Sequence, residues 1–284
     1  MCSGAGSDIF VPDKTNLTYL GTVMPMTSQL REKLDAQIPV IGTWNTLSAP
    51  LATEVMALAG FDFQIIDLEH GPFGLGQIHQ HVSACNGGGS CALLVRIPAN
   101  EAWMALQALD QGAQGIVVPH ISDEHAAADL ATAIRYHPDG CRGFSPFTKA
   151  GGFTNRNGHD HAARCNASVV GVAIVESLGG LSVAGEIAGV PGIDVVYFGA
   201  YDISQALGHP GEPKHPAVIE AIADGVERVR SAGCCAGGFV PQNRDDVIWL
   251  LELGMGFVTY DVDSSILFRE VAETTKWFDA ETQG

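Results

Sequence analysis

A regular alternation of short apolar runs with longer helix-like segments is the feature that most constrains the fold of this chain. Eight runs of five to seven residues have the continuous apolar character of strands covered on both faces. They lie at Val40–Trp44, Phe63–Leu68, Ala92–Ile97, Gly115–Pro119, Val169–Val175, Val195–Gly199, Ala236–Val240 and Phe257–Val262. The pattern therefore predicts eight β/α units in an α/β protein.

The intervening segments are amphipathic or rich in Ala, and several are followed by the Gly that commonly ends a helix. Eight β/α units in roughly 250 residues predict a (β/α)8 TIM barrel. A doubly wound sheet is the alternative, because apolar runs do not reveal whether a sheet closes. The chain contains no G-x-G-x-x-G or G-x-x-x-x-G-K-[ST] after any run, which removes the main reason to prefer that alternative.

The predicted barrel forms one domain over residues 27–284, with Thr27 or Ser28 capping its first helix. Residues 1–26 are rich in Gly, Ser, Pro and Thr without periodicity, and they predict a loosely attached extension. The segment 137–166 has little periodicity and predicts a long loop, a lid or a binding loop. Residues 265–282 predict a terminal helix.

Charge and cysteine content exclude several classes of function. With 15 Lys and Arg against 32 Asp and Glu, the net charge of −17 argues against binding to nucleic acid or anionic membranes. The chain has no signal-peptide pattern and no run of about 18 apolar residues that could span a membrane. Its seven Cys include no C-x-x-C and indicate reduced thiols. We predict a cytoplasmic protein.

Ionisable residues follow several of the predicted strands. In a parallel barrel the carboxyl ends of the strands and the loops after them form the active face, so these side chains are expected on one rim. They are Asp67, Glu69, His70, Arg96, His120, Glu176, Asp202, Asp261 and Asp263.

Two of these carboxylates, Glu176 and Asp202, end consecutive strands, whose backbones are about 4.8 Å apart if they pair. Carboxylates held so close repel unless they share a proton or a cation. A hard divalent ion such as Mg²⁺ or Mn²⁺ suits such a pair. In the alternative interpretation, each carboxylate pairs with a local Arg or caps a helix.

His70 is a candidate general base beside two acids, or a side chain that only binds a loop. Arg96 should meet an internal carboxylate, for which Asp110 is a candidate, or a substrate anion. None of the five Lys lies in or directly after a predicted strand, which argues against a lysine imine and leaves carbonyl polarisation to a metal. The His79/His81 and His159/His161 pairs are expected to be exposed.

Four segments, in order, resemble motifs of the HpcH/HpaI aldolases, which are metal-dependent aldolases of 2-keto-3-deoxy acids in the pyruvate/phosphoenolpyruvate barrel superfamily. The segments are Phe-Asp-Phe-Gln-Ile-Ile-Asp-Leu-Glu-His-Gly-Pro at 61–72, Leu-Val-Arg-Ile-Pro at 94–98, Val-Glu-Ser at 175–177 and Gly-Ala-Tyr-Asp-Ile-Ser at 199–204. The resemblance runs from about Leu34 to Lys276.

The resemblance implies a TIM barrel that forms a homo-oligomer, usually a hexamer built as a trimer of dimers, with the terminal helix packed on a neighbouring subunit. It implies reversible cleavage of a 4-hydroxy-2-oxo acid to pyruvate and an aldehyde, through an enolate held by Mg²⁺ or Mn²⁺, with Co²⁺ and Zn²⁺ as further candidates. Glu176 and Asp202 would be the metal ligands.

The remaining roles are also implied by the resemblance. Pyruvate would chelate the ion beside Asp202, with its carboxylate held by backbone N–H groups near Gly199, Ala200 and Tyr201. His70, supported by Asp110, would transfer protons through a bound water. The substrate's enolate oxygen would be stabilised by Arg96, and the hydrogen bonds of the site would be ordered by Asp67.

This sequence departs from the family pattern at Ile174, where many members have Gln, and at Tyr201, which could narrow the pocket. The loop at 142–149 keeps only the Arg-Gly start of the family's loop, which leaves the aldehyde open. One alternative function is a Claisen-type lyase or synthase, citrate-synthase-like or acyl-CoA-lyase-like, although no feature for CoA is evident. Another is a non-catalytic barrel that binds a metal or a keto acid.

Overall fold

The computed structural model describes residues 29–87, 89–155 and 158–282. The predicted extension at 1–26 and the predicted cap at Thr27 or Ser28 lie outside these residues. No helix in the described ranges is long and apolar enough to cross a lipid bilayer.

Eight parallel strands form a closed barrel in which each strand pairs with the next and the last pairs with the first. The strands are β1 Val40–Asn45, β2 Phe63–Asp67, β3 Ala92–Arg96, β4 Gly115–Val118, β5 Val170–Val175, β6 Val195–Phe198, β7 Cys235–Gly238 and β8 Phe257–Val262. The TIM barrel predicted from the apolar runs is thus confirmed, and the doubly wound alternative is wrong.

Helices surround the barrel along the described chain. They are α1 Gln29–Asp35, α2 Pro50–Ala59, α3 Ile78–Gly87, α4 Ala102–Asp110, α5 Glu124–Ala133, α6 Gly158–Ser168, α7 Leu178–Ser182, α8 Ala184–Ala188, α9 Ala200–Ala206, α10 Pro216–Ser231, α11 Arg244–Leu253 and α12 Asp263–Thr282. A 3₁₀ turn at Leu75–Gln77 precedes α3.

Local sequence explains where several helices begin and end. Asp123 and Asn243 accept hydrogen bonds from the backbone N–H groups of the first turns of α5 and α11, as N-cap side chains do. Gly60 ends α2 with φ 105° and Gly254 ends α11 with φ 96°, backbone angles that an L residue rarely adopts.

The interior of the barrel is filled by side chains at the amino-terminal ends of its strands. The rings of Phe63 and Phe257 stack there with centroids 4.0 Å apart. Higher in the barrel the hydroxyl of Tyr197 donates to the Phe239 carbonyl at 2.6 Å and lies 2.7 Å from the Thr259 hydroxyl. This core fills the amino-terminal end of the barrel, and a cavity remains at the carboxyl ends of the strands.

Two predictions about the chain between strands are wrong. Part of the predicted loop at 137–166 forms helix α6, and the side chains of Cys165 and His161 on this helix are buried. His161 is 5% exposed and His81 is 1% exposed, where both were expected in solvent. The His81 Nδ1 lies 2.8 Å from the Thr53 hydroxyl, a hydrogen bond that allows the imidazole to be buried.

Candidate active site

A cavity of about 330 Å³ opens at the carboxyl ends of the strands. It is lined by Trp44, Thr46, Asp67, His70, Arg96, Ile174, Glu176, Tyr197, Gly199, Ala200, Tyr201, Asp202, Phe239, Val240 and Val262. The site residues that the resemblance implies, with the exception of Asp110, therefore line one cavity. The other strand-end residues predicted on the rim are not among its lining residues; they are Glu69, His120, Asp261 and Asp263.

Arg96 is held on the cavity wall by two carboxylates and an aromatic ring. Its Nε donates to Asp67 Oδ1 at 2.8 Å and its Nη2 donates to Asp67 Oδ2 at 2.5 Å. Its Nη1 lies 3.1 Å from Glu69 Oε2, and the guanidinium carbon lies 4.6 Å from the centre of the Trp44 ring. The internal partners of Arg96 are thus Asp67 and Glu69, and the prediction that Asp110 pairs with Arg96 is wrong.

The electrostatics of Asp67 follow from this pairing. Burial alone would raise the pKa of the Asp67 carboxyl, but the hydrogen bonds and charge of Arg96 and the N–H groups of residues 69 and 70 lower it below its usual range. Glu69 N donates to Asp67 Oδ1 at 3.0 Å and His70 N donates to the same oxygen at 3.1 Å. Asp67 therefore orders the turn that carries His70, whose exposed ring lines the cavity.

Asp110 lies outside this cavity in the described chain. Its Oδ1 accepts a hydrogen bond at 2.7 Å from Arg142, whose guanidinium lies over the Tyr136 ring at 4.4 Å. No hydrogen bond between Asp110 and His70 is present among the described residues, so the expected support of His70 by Asp110 stays a prediction.

Glu176 and Asp202 follow neighbouring strands, as the sequence predicts, and both line the cavity. Burial raises the pKa of the Glu176 carboxyl; the N–H and charge of His120 oppose this shift, and the charges of Asp202 and Glu69 add to it. Asp202 lies in the first turn of α9 and is exposed to the cavity mouth. Two crowded carboxylates of this kind suit a hard cation.

Gly199 leaves the room that Glu176 needs. A Cβ at position 199 would lie 2.9 Å from the Glu176 Cβ and 3.0 Å from Oε2, closer than side chains normally pack. The N–H of Gly199 donates to the Val175 carbonyl at 3.0 Å and is not free for a substrate. The next two N–H groups, of Ala200 and Tyr201, open α9, where backbone donors lack acceptors within the helix.

The structure also shows contacts of His120 that the sequence did not predict. Its Nδ1 lies 2.5 Å from Glu176 Oε1 and its Nε2 lies 3.6 Å from Glu69 Oε1. Its position after an apolar run put it on the rim, but no motif gave it a role. The two departures from the family pattern also line the cavity, Ile174 on the buried wall at 2% exposure and Tyr201 at the mouth at 53%.

A second group of metal-ligating residue types, His209, Glu212 and His215, lies between α9 and α10. The two imidazole rings stack face to face with centroids 3.4 Å apart and planes 15° apart. A ligated ion lies close to the plane of each imidazole, and two nearly parallel planes at this separation share no such point. We assign no metal to this group.

The comparisons with known proteins agree with this geometry. The family model described as HpcH/HpaI aldolase/citrate lyase matches residues 40–269. The hydroxypyruvate/pyruvate aldolase of Roseovarius nubinhibens is 32% identical over 253 residues, which cover 88% of this chain and 97% of that protein.

Two solved structures extend the comparison. The HpcH/HpaI aldolase/citrate lyase family protein of Burkholderia cenocepacia superposes with a TM-score of 0.83 and 30% identity, covering 89% of this chain and 99% of that one. The citrate synthase SbnG superposes with a TM-score of 0.80 and 25% identity, covering 90% of this chain and 99% of that one.

The closed eight-stranded barrel has carboxylates and a guanidinium around one cavity at its carboxyl end, which is where enzymes of the (β/α)8 class have their active sites. The match over most of its length places it more narrowly. The chain belongs to the HpcH/HpaI aldolase/citrate lyase family, and it is an aldehyde-lyase.

Proposed function

We propose that this protein is a divalent-metal-dependent pyruvate aldolase that reversibly cleaves a 4-hydroxy-2-oxo acid to pyruvate and an aldehyde. The observation that carries the proposal is the placement of Glu176 and Asp202 in one cavity with the half-buried guanidinium of Arg96. A cavity of about 330 Å³ is of the size that holds a small acid and an aldehyde.

Glu176 and Asp202 fit a divalent cation on two grounds. Burial and the charges of Asp202 and Glu69 raise the pKa of the Glu176 carboxyl although His120 opposes the shift, so the cavity holds two crowded carboxylates that a cation would stabilise. Carboxylate oxygens are the ligands that Mg²⁺ and Mn²⁺ prefer. When bound there, the ion supplies polarisation of the substrate's keto group.

The remaining chemistry falls to the chain's own side chains. Cleavage removes the proton from the 4-hydroxyl oxygen, breaks the C3–C4 bond and leaves the electron pair on an enolate, which gains a proton at C3 to give pyruvate. The guanidinium of Arg96 has five N–H donors, of which three face Asp67 and Glu69. The other two can stabilise charge on the enolate oxygen, and the exposed ring of His70 can carry protons through a water.

A Claisen-type lyase or synthase is the second candidate function, supported by the likeness to citrate synthase SbnG. Such a reaction would form the enolate of an acyl donor and use a keto acid as the electrophile. Products formed from pyruvate with added aldehydes support the aldolase, whereas products formed from an acyl donor with an added keto acid support this second candidate.

Deuterium exchange into the methyl group of pyruvate in D₂O tests the proposal, with NMR as the detector. The protein is stripped of metal with a chelator and assayed with and without added Mg²⁺ or Mn²⁺. We expect exchange only with metal. Exchange without metal would contradict metal dependence, and no exchange with any metal would contradict the aldolase.

Replacing His70 by Ala should leave pyruvate affinity within about twofold but slow methyl exchange by about 10²-fold or more, as for loss of a general acid–base. Pyruvate affinity is measured by calorimetry and exchange by NMR. The matched control is His79→Ala, because His79 is exposed on α3 and does not line the cavity. Equal exchange rates in the two variants would remove His70 from proton transfer.

We also propose that the protein is a homo-oligomer that uses α12 as a contact. This helix exposes five large apolar side chains, Leu267, Phe268, Val271, Trp277 and Phe278. An exposed apolar face of this size is typical of an interface between subunits. Light scattering on wild type should give a multiple of the 29.9 kDa chain mass, and a monomer would contradict the proposal.

A further inference from the structure

The backbone of His120 has an uncommon conformation beside the candidate metal ligands. His120 follows β4 with φ 58°, in the left-handed region that residues other than Gly seldom adopt. The next residue is held in place, because Ile121 N donates to the Ile174 carbonyl of β5 at 3.0 Å. Strain of this kind persists where the surrounding structure determines it, and it is concentrated at functional sites.

This conformation brings two nitrogens of His120 to one oxygen of Glu176. The backbone N–H donates to Glu176 Oε1 at 2.7 Å, and the ring Nδ1 lies 2.5 Å from the same oxygen. The other oxygen, Oε2, is the one that lies against the space left by Gly199. His120 therefore holds the carboxylate of Glu176 by Oε1, and the described residues place no hydrogen bond on Oε2.

The same ring faces a second carboxylate. Nε2 of His120 lies 3.6 Å from Glu69 Oε1, and Glu69 Oε2 lies 3.1 Å from Arg96 Nη1. The imidazole thus stands between the carboxylate of the candidate metal site and the carboxylate that holds the guanidinium. Its side chain is 69% exposed, so burial of its own surface does not explain this arrangement.

We propose that His120 is a positioning residue that holds Glu176 by Oε1 and so presents Oε2 to the divalent cation. The proposal rests on the proposed function, because it assumes an ion between Glu176 and Asp202. Partners that orient a metal-ligating carboxylate typically change metal affinity by about 10- to 100-fold when they are removed.

The test measures Mn²⁺ affinity by EPR in His120→Gly and His120→Asn, together with the melting temperature of each metal-free protein. Gly removes the ring and tolerates the left-handed backbone, while Asn tolerates it and keeps a side-chain N–H donor. Gln37→Gly is the matched control, because Gln37 has φ 54° and lies outside the active-site cavity.

We expect Mn²⁺ to bind about 10-fold or more weakly to His120→Gly, with a melting temperature at or above that of wild type, and His120→Asn to recover part of the affinity. Wild-type affinity in His120→Gly overturns the proposal. So does a melting temperature that falls in His120→Gly but not in Gln37→Gly, which would assign a structural role.

Direct ligation by the ring is distinguished by pulsed EPR on protein labelled with ¹⁵N-histidine. Strong ¹⁵N coupling to Mn²⁺ that disappears in His120→Gly would make His120 a ligand and overturn the positioning role. Failure of the proposed function has a different signature, since wild type would then bind no Mn²⁺ at the site or give no metal-dependent exchange.

Discussion

Replacing Glu176 by Gln should weaken Mn²⁺ binding by about 100-fold or more and remove metal-dependent exchange of the pyruvate methyl protons. The amide matches the carboxylate in shape, so Oε1 can still accept from the N–H of His120. What is lost is the negative charge that faces the cavity beside Asp202. Calorimetry or EPR measures the affinity, and NMR measures the exchange.

The same substitution should leave the metal-free protein at least as stable as wild type. The pKa of the Glu176 carboxyl is raised in the folded protein, chiefly by burial. A group with a raised folded pKa contributes its full stability below its ordinary pKa, and that contribution is lost as the pH rises through the folded value. Gln does not titrate, so Glu176→Gln does not lose stability in this way. The difference in melting temperature between Glu176→Gln and wild type should therefore increase as the pH rises above the ordinary pKa of Glu.

Asp202→Asn provides the second half of this test, because it removes the other carboxylate and should also lower the affinity. Asp245→Asn is the control for net charge, since Asp245 is exposed in the first turn of α11. The ligand assignment is wrong if Glu176→Gln binds Mn²⁺ as tightly as Asp245→Asn does.

The barrel was predictable from the sequence because its strands are buried on both faces. Seven predicted runs end within one residue of the observed strands. The remaining run differs by two residues at its end, since Ala236–Val240 was expected and β7 is Cys235–Gly238. Gly238 has φ 151° and Phe239 has φ 57°, angles that end the strand. The prediction ran two residues further because Phe239 and Val240 are apolar.

Helix α6 was not predictable in the same way. Its sequence, Gly-His-Asp-His-Ala-Ala-Arg-Cys-Asn-Ala-Ser, has few apolar residues and begins with Gly. The helix packs instead through contacts of His161 with the rings of Tyr136 and Phe144, whose centroids lie 5.5 and 5.6 Å from it. Packing against neighbours decides the structure of such a segment, and no local pattern reveals it.

The candidate site could be predicted to the level of its rim, because strand ends meet at one edge of a barrel. Pairing between side chains required the register of the sheet. Asp67 lies opposite Arg96 in the β2–β3 pair, which makes these residues partners and leaves Asp110 to Arg142. The turn of His120 toward Glu176 depends on one backbone angle, which no motif in this sequence encodes.

Replacing Arg96 by Lys should slow methyl exchange by about 10³-fold, near the loss seen when a donor to an oxyanion is removed. An ammonium is a point charge with three donors, and it cannot bind both oxygens of Asp67 in a planar fork while also facing Glu69 and the substrate. Asp67 is 3% exposed, so its weaker pairing should also lower the melting temperature.

The control separates the loss of folding stability from the loss of catalysis. Arg135 is a buried guanidinium that donates to the carbonyls of Ala131 and Gly192 and faces Asp194, before the start of β6 and away from the active-site cavity. Arg135→Lys should therefore lower the melting temperature but leave exchange near the wild-type rate when assayed well below melting. Equal exchange in Arg96→Lys and Arg135→Lys would show that Arg96 stabilises the fold and takes no part in stabilising the enolate.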